Sequence, residues 1–226
     1  MHLKLKRLYK NINHTFINQD YLQQALTHRS QGPKNNERLE FLGDALLSAA
    51  MAHILYLRFP NRTEGELSRL RAYLVRGDML SQIAVELSLG DYLILGQGEL
   101  KNGGFNRGST LADALEALFA AIFLDTDFET VQRSILQVFQ SKLDDPNLFD
   151  YITDPKTKLQ ERLQAQKHPL PTYVLVNTTG EEHHQTFEVS CEVARLNLKT
   201  TGCGETRRKA EQEAARQFLD QWAMLG

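Results

Sequence analysis

Only two cysteines, Cys191 and Cys203, occur among 226 residues. That is too few for a disulfide framework, and their spacing matches no metal-binding arrangement, so both read as small, half-buried strand residues. Net charge is equally scarce. With 26 Lys+Arg against 28 Asp+Glu the formal charge is -2, so bulk charge points to no partner and only local clusters can. Long hydrophobic runs are missing too. No run approaches membrane length, and the opening "MHLKLKRLYK" has basic residues without the apolar centre of a secretion signal. These absences lead us to expect a cytoplasmic protein without a membrane partner. Internal repeats and low-complexity tracts are also lacking. What remains is an ordinary globular balance, 42% hydrophobic and 24% charged, long enough for one large domain or two smaller ones.

The chain changes grammar near residue 150. Residues 1–145 read as helix after helix, with helical periodicity in "YLQQALTHRS", 37–59, "GELSRLRAYLVRGDMLSQIAVELSL", 109–124 and 127–143. Lys4, Lys6, Arg7 and Lys10 form the wet side of a first helix carrying Leu5, Leu8 and Tyr9. Glycines between 90 and 108 mark one long irregular connection, and "DDPNLFDYITDP" supplies a linker, placed at 146–153. Beyond it come a helical stretch (155–167), three short β-rich runs, "TYVLVNTT", "QTFEVSCEVA" and "LNLKTTGCG", and a closing helix with Thr206 as N-cap. The expected fold is an all-α domain over 1–145 plus a small α+β domain, α-β-β-β-α, over 154–226.

Acids stand in unexpected places. In "NNERLEFLGDALLSAA", Glu37, Glu40 and Asp44 fall at i, i+3, i+7 on one face of an otherwise apolar helix. "LADALEALFAAIFL" repeats the anomaly with Asp113 and Glu116. Like charges at this spacing repel, and carboxylates beside a core lose hydration. Brought together, Glu40, Asp44, Asp113 and Glu116 would need a cation, or some would have to hold protons. Hard oxygen ligands without interleaved His or Cys suit Mg²⁺, with Mn²⁺ as a substitute, and the corresponding chemistry is phosphoryl transfer or hydrolysis. A carboxylate–arginine network through Arg38, Arg69 or Arg71 is the other reading, and spacing alone leaves both open. Glu64 and Glu66 suit a helix first turn. The glycines of 96–108 match no phosphate-binding fingerprint, and no organic cofactor is expected.

"NNERLEFLGDALL" resembles the signature of the ribonuclease III family, the double-stranded-RNA endonucleases. "ALTHRS", "RAYLVR", "GQGELKNGGFNRGSTLADALEALFAAIFLD" and "DPKTKLQERLQ" extend the likeness in order over nearly the whole chain. The resemblance implies a helical endonuclease domain, a short linker and a C-terminal double-stranded-RNA-binding domain. It implies Glu40, Asp44, Asp113 and Glu116 as Mg²⁺ ligands, with Asp44 and Glu116 most directly catalytic and Glu37 and Glu64 as accessory acids. It also implies a homodimer, products with 5′-phosphate and 3′-hydroxyl ends, and processing of ribosomal RNA precursors and other structured transcripts. Asn35 departs from the His that relatives often carry there. His28 in "LTHRS" reads as structural.

The C-terminal region holds ten Lys+Arg and ten Asp+Glu over 154–226, so placement is its only electrostatic clue. Arg207, Arg208 and Lys209 open the closing helix, where free N–H groups already favour phosphate. They resemble the family's basic phosphate clamp, with Thr206 at the cap. Gly180 to His183 resembles a loop entering a minor groove, and Gln160, Glu161 and Gln164 resemble first-helix residues facing another. Such a domain reads A-form shape over roughly 16 base pairs with little sequence preference. Two other classes remain open: a non-catalytic RNA binder with a vestigial nuclease domain, and a small-molecule phosphohydrolase whose C-terminal domain binds proteins.

Overall fold

A computed structural model describes residues 2–180 and 185–225. The chain forms two compact units, Met1–Ile152 and Thr153–Gly226.

The first unit is helical: α1 (His2–Ile12), α2 (Gln19–Ala25), α3 (Glu37–Arg58), α4 (Glu64–Leu74), α5 (Gly77–Glu86), α6 (Gln97–Lys101), α7 (Gly108–Asp125) and α8 (Phe128–Leu143). A helix apolar on nearly every side belongs at the centre of a core, and α7 takes that place. From Thr110 to Ile122 only Asp113 and Glu116 are not buried. α3 packs on α7 with Leu39, Leu46, Leu47, Ala50, Ile54 and Leu55 among its buried residues. At 22 residues and mean hydropathy 1.3, α3 is long and apolar enough to cross a membrane, contrary to the sequence expectation. Its apolar residues serve the first core instead.

Side-chain caps define the helix ends. Thr63 and Glu66 close a reciprocal capping box on α4, Asp127 accepts the Thr130 N–H at the start of α8, and Asn18 caps α2. Asp125, at the end of α7, accepts the N–H groups of Ile17 and Asn18 at 2.8 Å and meets His14 Nε2 at 2.9 Å.

Tertiary pairing overrides three local expectations. "YLQQALTHRS" leaves the helix after Ala25 because Thr27 bridges Ile94 and accepts the Asn36 N–H through its carbonyl. The long run from 65 to 89 breaks at Val75–Arg76, where Arg76 is extended, and becomes α4 and α5. The glycine-rich connection contains α6 and two 3-10 turns, Leu89–Tyr92 and Gly104–Asn106.

The expected linker needs correction. Leu148 is buried in the first core, with Phe149 and Ile152 packed against it. Phe149 meets Phe59 edge-on at 5.0 Å, and Tyr151 stacks on Tyr73 at 5.6 Å. Residues 148–151 thus form a 3-10 turn of the first unit, held by the apolar side chains that composition alone could not place.

In the second unit, α9 (Pro155–Ala165) precedes β1 (Thr172–Thr179), β2 (Thr186–Val193), β3 (Leu198–Gly204) and α10 (Arg207–Leu225). The strands form an antiparallel sheet in the order β1-β2-β3. Leu159 and Leu163 of α9 share a core with Cys191 and Val193 of β2 and Ala214, Phe218 and Trp222 of α10. Cys191 is fully buried there and Cys203 is exposed, so neither is half-buried. A methyl carbon on Gly202 would lie 2.2 Å from the Ala214 nitrogen, so only glycine lets β3 lie this close to α10.

The decisive contact of the first unit is also glycine-dependent. A methyl carbon on Gly43 of α3 would lie 1.9 Å from the Glu116 carbonyl oxygen of α7. Because both partners are helix backbone, neither can swing aside. We expect Gly43→Ala to force the helices apart, costing about 1–3 kcal/mol or more. The first unit's melting temperature should fall by several degrees with the second unit's unchanged, as read by calorimetry on the full chain; an unchanged melting profile would refute the contact.

Candidate acid site and RNA-binding surface

Gly43 lies between Glu40 and Asp44, and Glu116 is one turn beyond Asp113. The backbone contact at Gly43 therefore sets two acids of α3 against two of α7. Asp44 is exposed, while Glu40, Asp113 and Glu116 are half-buried, so the cluster lines an opening at the edge of the core.

Its electrostatics show the crowding. Burial, then Asp44, Glu40 and Asp113, push the Glu116 carboxyl up to about 7 from an ordinary 4.5. Burial, then Asp113 and Glu37, raise Glu40, with Arg29 pulling it back. Burial also raises Asp113, opposed by His28 and Arg29. Among the described residues no three His, Cys, Asp or Glu side chains converge into a ready-made metal cage. The four acids act on one another as charges rather than as bonded neighbours. The arginine network is not formed: among the described residues none of the four pairs with Arg38, Arg69 or Arg71.

The accessory acids part company. Glu37 opens α3 at the rim of the cluster, 3.6 Å from Arg29 and 3.2 Å from Asn35 Nδ2. Asn35, the departure from the family pattern, is thereby a local partner of Glu37. Within one chain Glu64 lies away from the start of α3 that carries the cluster. It follows the far end of α3, some 14 residues or about 21 Å along the axis from Asp44. There its carboxylate accepts the Ser68 hydroxyl at 2.6 Å. His28 Nδ1 accepts the Ser30 N–H at 3.2 Å, and the side chain also acts electrostatically on Asp113. Arg29, which spacing did not single out, acts electrostatically on Glu40 and, after His28, on Asp113; its position inside "LTHRS", just ahead of the acidic helix, was the available signal.

In the second unit Gln160, Glu161 and Gln164 are exposed on α9, opposite the buried Leu159 and Leu163. Gly180 ends the β1 side of the loop with a left-handed φ of 100°. His183 lies outside the described residues. Thr206 Oγ1 accepts the Lys209 N–H at 3.2 Å, the cap expected for α10. Arg207 pairs with Glu211 at 3.1 Å, Arg208 reaches Asp154 at 3.8 Å and Lys209 meets Glu205 at 2.6 Å. The three cations are all exposed, whereas of their acid partners only Glu205 is, Asp154 and Glu211 being partly buried.

Known proteins share this arrangement. The description "Ribonuclease-III-like" matches residues 18–143 and "Double-stranded RNA binding motif" matches residues 155–221. Ribonuclease 3 of Legionella pneumophila (strain Lens) is 52% identical over 221 residues, covering 98% of this chain and 99% of that protein. Ribonuclease 3 of Buchnera aphidicola subsp. Baizongia pistaciae (strain Bp) is 52% identical over 218 residues, 96% of each chain. The nuclease domain of ribonuclease III from Campylobacter jejuni, in a structure described for flexibility in a region involved in dimer formation, superposes with a TM-score of 0.58. It is 39% identical and covers 61% of this chain and 96% of its own. The RNA-binding motif makes duplex RNA a partner of the second unit. By sequence, fold and domain order, the chain belongs to the ribonuclease III family: it is an endoribonuclease for double-stranded RNA that carries its own duplex-binding domain.

Proposed function

We propose that cleavage depends on Mg²⁺, with Mn²⁺ as a substitute, bound through Glu40, Asp44, Asp113 and Glu116. The supporting observation is the meeting of four acids across the Gly43–Glu116 contact, without an Arg or Lys among the described residues bonded to any of them. The all-oxygen donor set suits a hard cation, and neutralisation would offset the burial and the repulsion that raise Glu116. When bound, Mg²⁺ lowers the pKa of a coordinated water and stabilises charge on phosphoryl oxygens. Asp44 and Glu116 are the acids proposed nearest the reacting phosphate, with Glu40 and Asp113 completing the ligand set and Glu37 at the rim. In-line attack by water with departure of the bridging 3′ oxygen leaves 5′-phosphate and 3′-hydroxyl ends. The natural substrates proposed are structured ribosomal RNA precursors and other folded transcripts, in keeping with a grip that reads duplex shape.

We further propose a homodimer, since two strands need two cuts and a two-fold pair supplies two sites. Phe41, next to Glu40, is 82% exposed, and an aromatic side chain left so bare beside the reacting site suits a protein contact. Phe41→Asp should shift the protein to monomer by sedimentation at micromolar concentration while the single-chain fold survives. A dimer of parental strength would remove Phe41 from the interface.

Glu116→Gln keeps the side-chain shape and removes its charge. In Mg²⁺ the cleavage rate should drop by at least about 100-fold, since losing a direct ligand should exceed the cost of losing a supporting one. Duplex affinity in Ca²⁺ should stay near the parent's. In chelated protein a second effect follows. Because the folded state holds the Glu116 proton up to about pH 7 and the unfolded chain only to about 4.5, this group's stabilisation is complete below 4.5 and lost as pH rises through 7. Glu116→Gln should flatten the fall in melting temperature between pH 5 and 8. A variant that cuts at the parent rate would end the metal-ligand assignment.

Arg207→Ala with Arg208→Ala should weaken binding about equally on unrelated duplexes. The slope of log affinity against log salt should become shallower by roughly one unit per lost phosphate contact. Unchanged affinity with altered cleavage positions would argue against a phosphate clamp.

A further inference from the structure

The acid opening creates a difficulty for its own substrate. Glu37, Glu40, Asp44, Asp113 and Glu116 crowd one region of the first unit, and a phosphodiester must approach it against their field. Arg29 is the cation placed to counter them. It lies 3.6 Å from Glu37 and acts electrostatically on both Glu40 of α3 and Asp113 of α7, so its charge sits at the rim near both helices.

The backbone beneath Arg29 is unusually well tied for a surface turn. Residues Arg29–Gln31 form a 3-10 turn capped by the His28 side chain. The His28 N–H donates to the Ile94 carbonyl at 2.9 Å, and the Ile94 N–H donates to Leu26 at 2.8 Å. Ser30 Oγ accepts the Gly96 N–H at 2.9 Å and shares a 2.8 Å bond with His28 Nδ1. Downstream, the Asn36 N–H donates to the Thr27 carbonyl at 2.9 Å just before α3 begins. This turn is anchored on both sides, yet the Arg29 side chain it presents is 71% exposed. Its one ion pair among the described residues is with the exposed Glu37, a partner that costs little to leave.

We infer that Arg29 positions the substrate: its guanidinium leaves Glu37 and binds the non-bridging oxygens of a phosphate on the strand entering the acid site. A planar fork suits a phosphate's paired oxygens, and a charge-assisted bond there holds the backbone in register for attack. The inference rests on the proposed reacting site at the four acids. Since the second unit already supplies duplex affinity, losing this contact should appear in turnover rather than in binding.

The test uses the full-length chain with Arg29→Ala and Arg29→Lys, and a synthetic duplex carrying single uncharged methylphosphonate linkages around the cut. At saturating duplex and Mg²⁺, Arg29→Ala should lower kcat at least about tenfold, the scale of one lost charge-assisted contact, with Arg29→Lys in between. Duplex affinity in Ca²⁺ should remain within about twofold, and melting temperature should be unchanged. One methylphosphonate should slow the parent enzyme but cause no further loss in Arg29→Ala, the non-additivity of a shared contact. A parental kcat, or full additivity at every linkage, would overturn the inference. So would a lowered Mg²⁺ requirement with kcat intact, which a mere counter-charge to the acids would produce. Glu116→Gln run alongside keeps the two ideas apart. If it is inactive while Arg29→Ala is parental, only Arg29 is wrong; if it cuts normally, the acid-site reading itself has failed.

Discussion

Four carboxylates repel one another at the edge of a hydrophobic core, and the contact that compels them to do so is backbone against backbone. Gly43 has no side chain, so α3 can rest on the Glu116 carbonyl of α7, which holds the backbones carrying the flanking acids close together. Burial and mutual repulsion then lift Glu116 to about 7. The surrounding helices sustain this unfavourable arrangement. α7 is buried from Thr110 to Ile122 apart from its two acids, and α3 supplies the facing apolar surface, so the packing energy of the whole unit opposes separation of the pair.

The second unit handles charge in the opposite way. Its lysines, arginines and acids balance, and its exposed cations rest on its own acids, Glu205 exposed but Asp154 and Glu211 partly buried. Such pairs add little to stability but keep the cations extended and ready to exchange partners. The close approach of β3 at Gly204, against Lys209 and Ala210, fixes the first turn of α10, where Arg207 to Lys209 are displayed. The same principle operates at Arg29, whose exposed partner Glu37 is easily surrendered. In both units rigidity belongs to the backbone and adaptability to the charged tips.

Much of this was legible from residue order. Hydrophobic periodicity located α3, α7 and α8 within a residue or two, and the alternating β-branched runs located all three strands. The paired acids in two apolar helices identified the cluster because charge in such a setting is costly, and costly features stand out against a regular pattern. Local signals failed where distant backbone intervened. Thr27 left its helix to bridge Ile94, and Leu148 and Phe149 joined a core that a Pro- and Asp-rich stretch concealed.

The sequence by itself determined the two-domain plan, the element types and the identity of the four acids, since each depends on side-chain type and spacing along one element. Only tertiary structure decided which acids meet. Glu37 stays at the rim while Glu64 is carried away by the length of α3, although both are acids at the start of a helix. It also decided that Arg29, rather than Arg38, Arg69 or Arg71, is the cation at the site. The physical reason is that electrostatic energy depends on separation in space, and residues from α3, α7 and the 28–31 turn become neighbours only after the chain has packed.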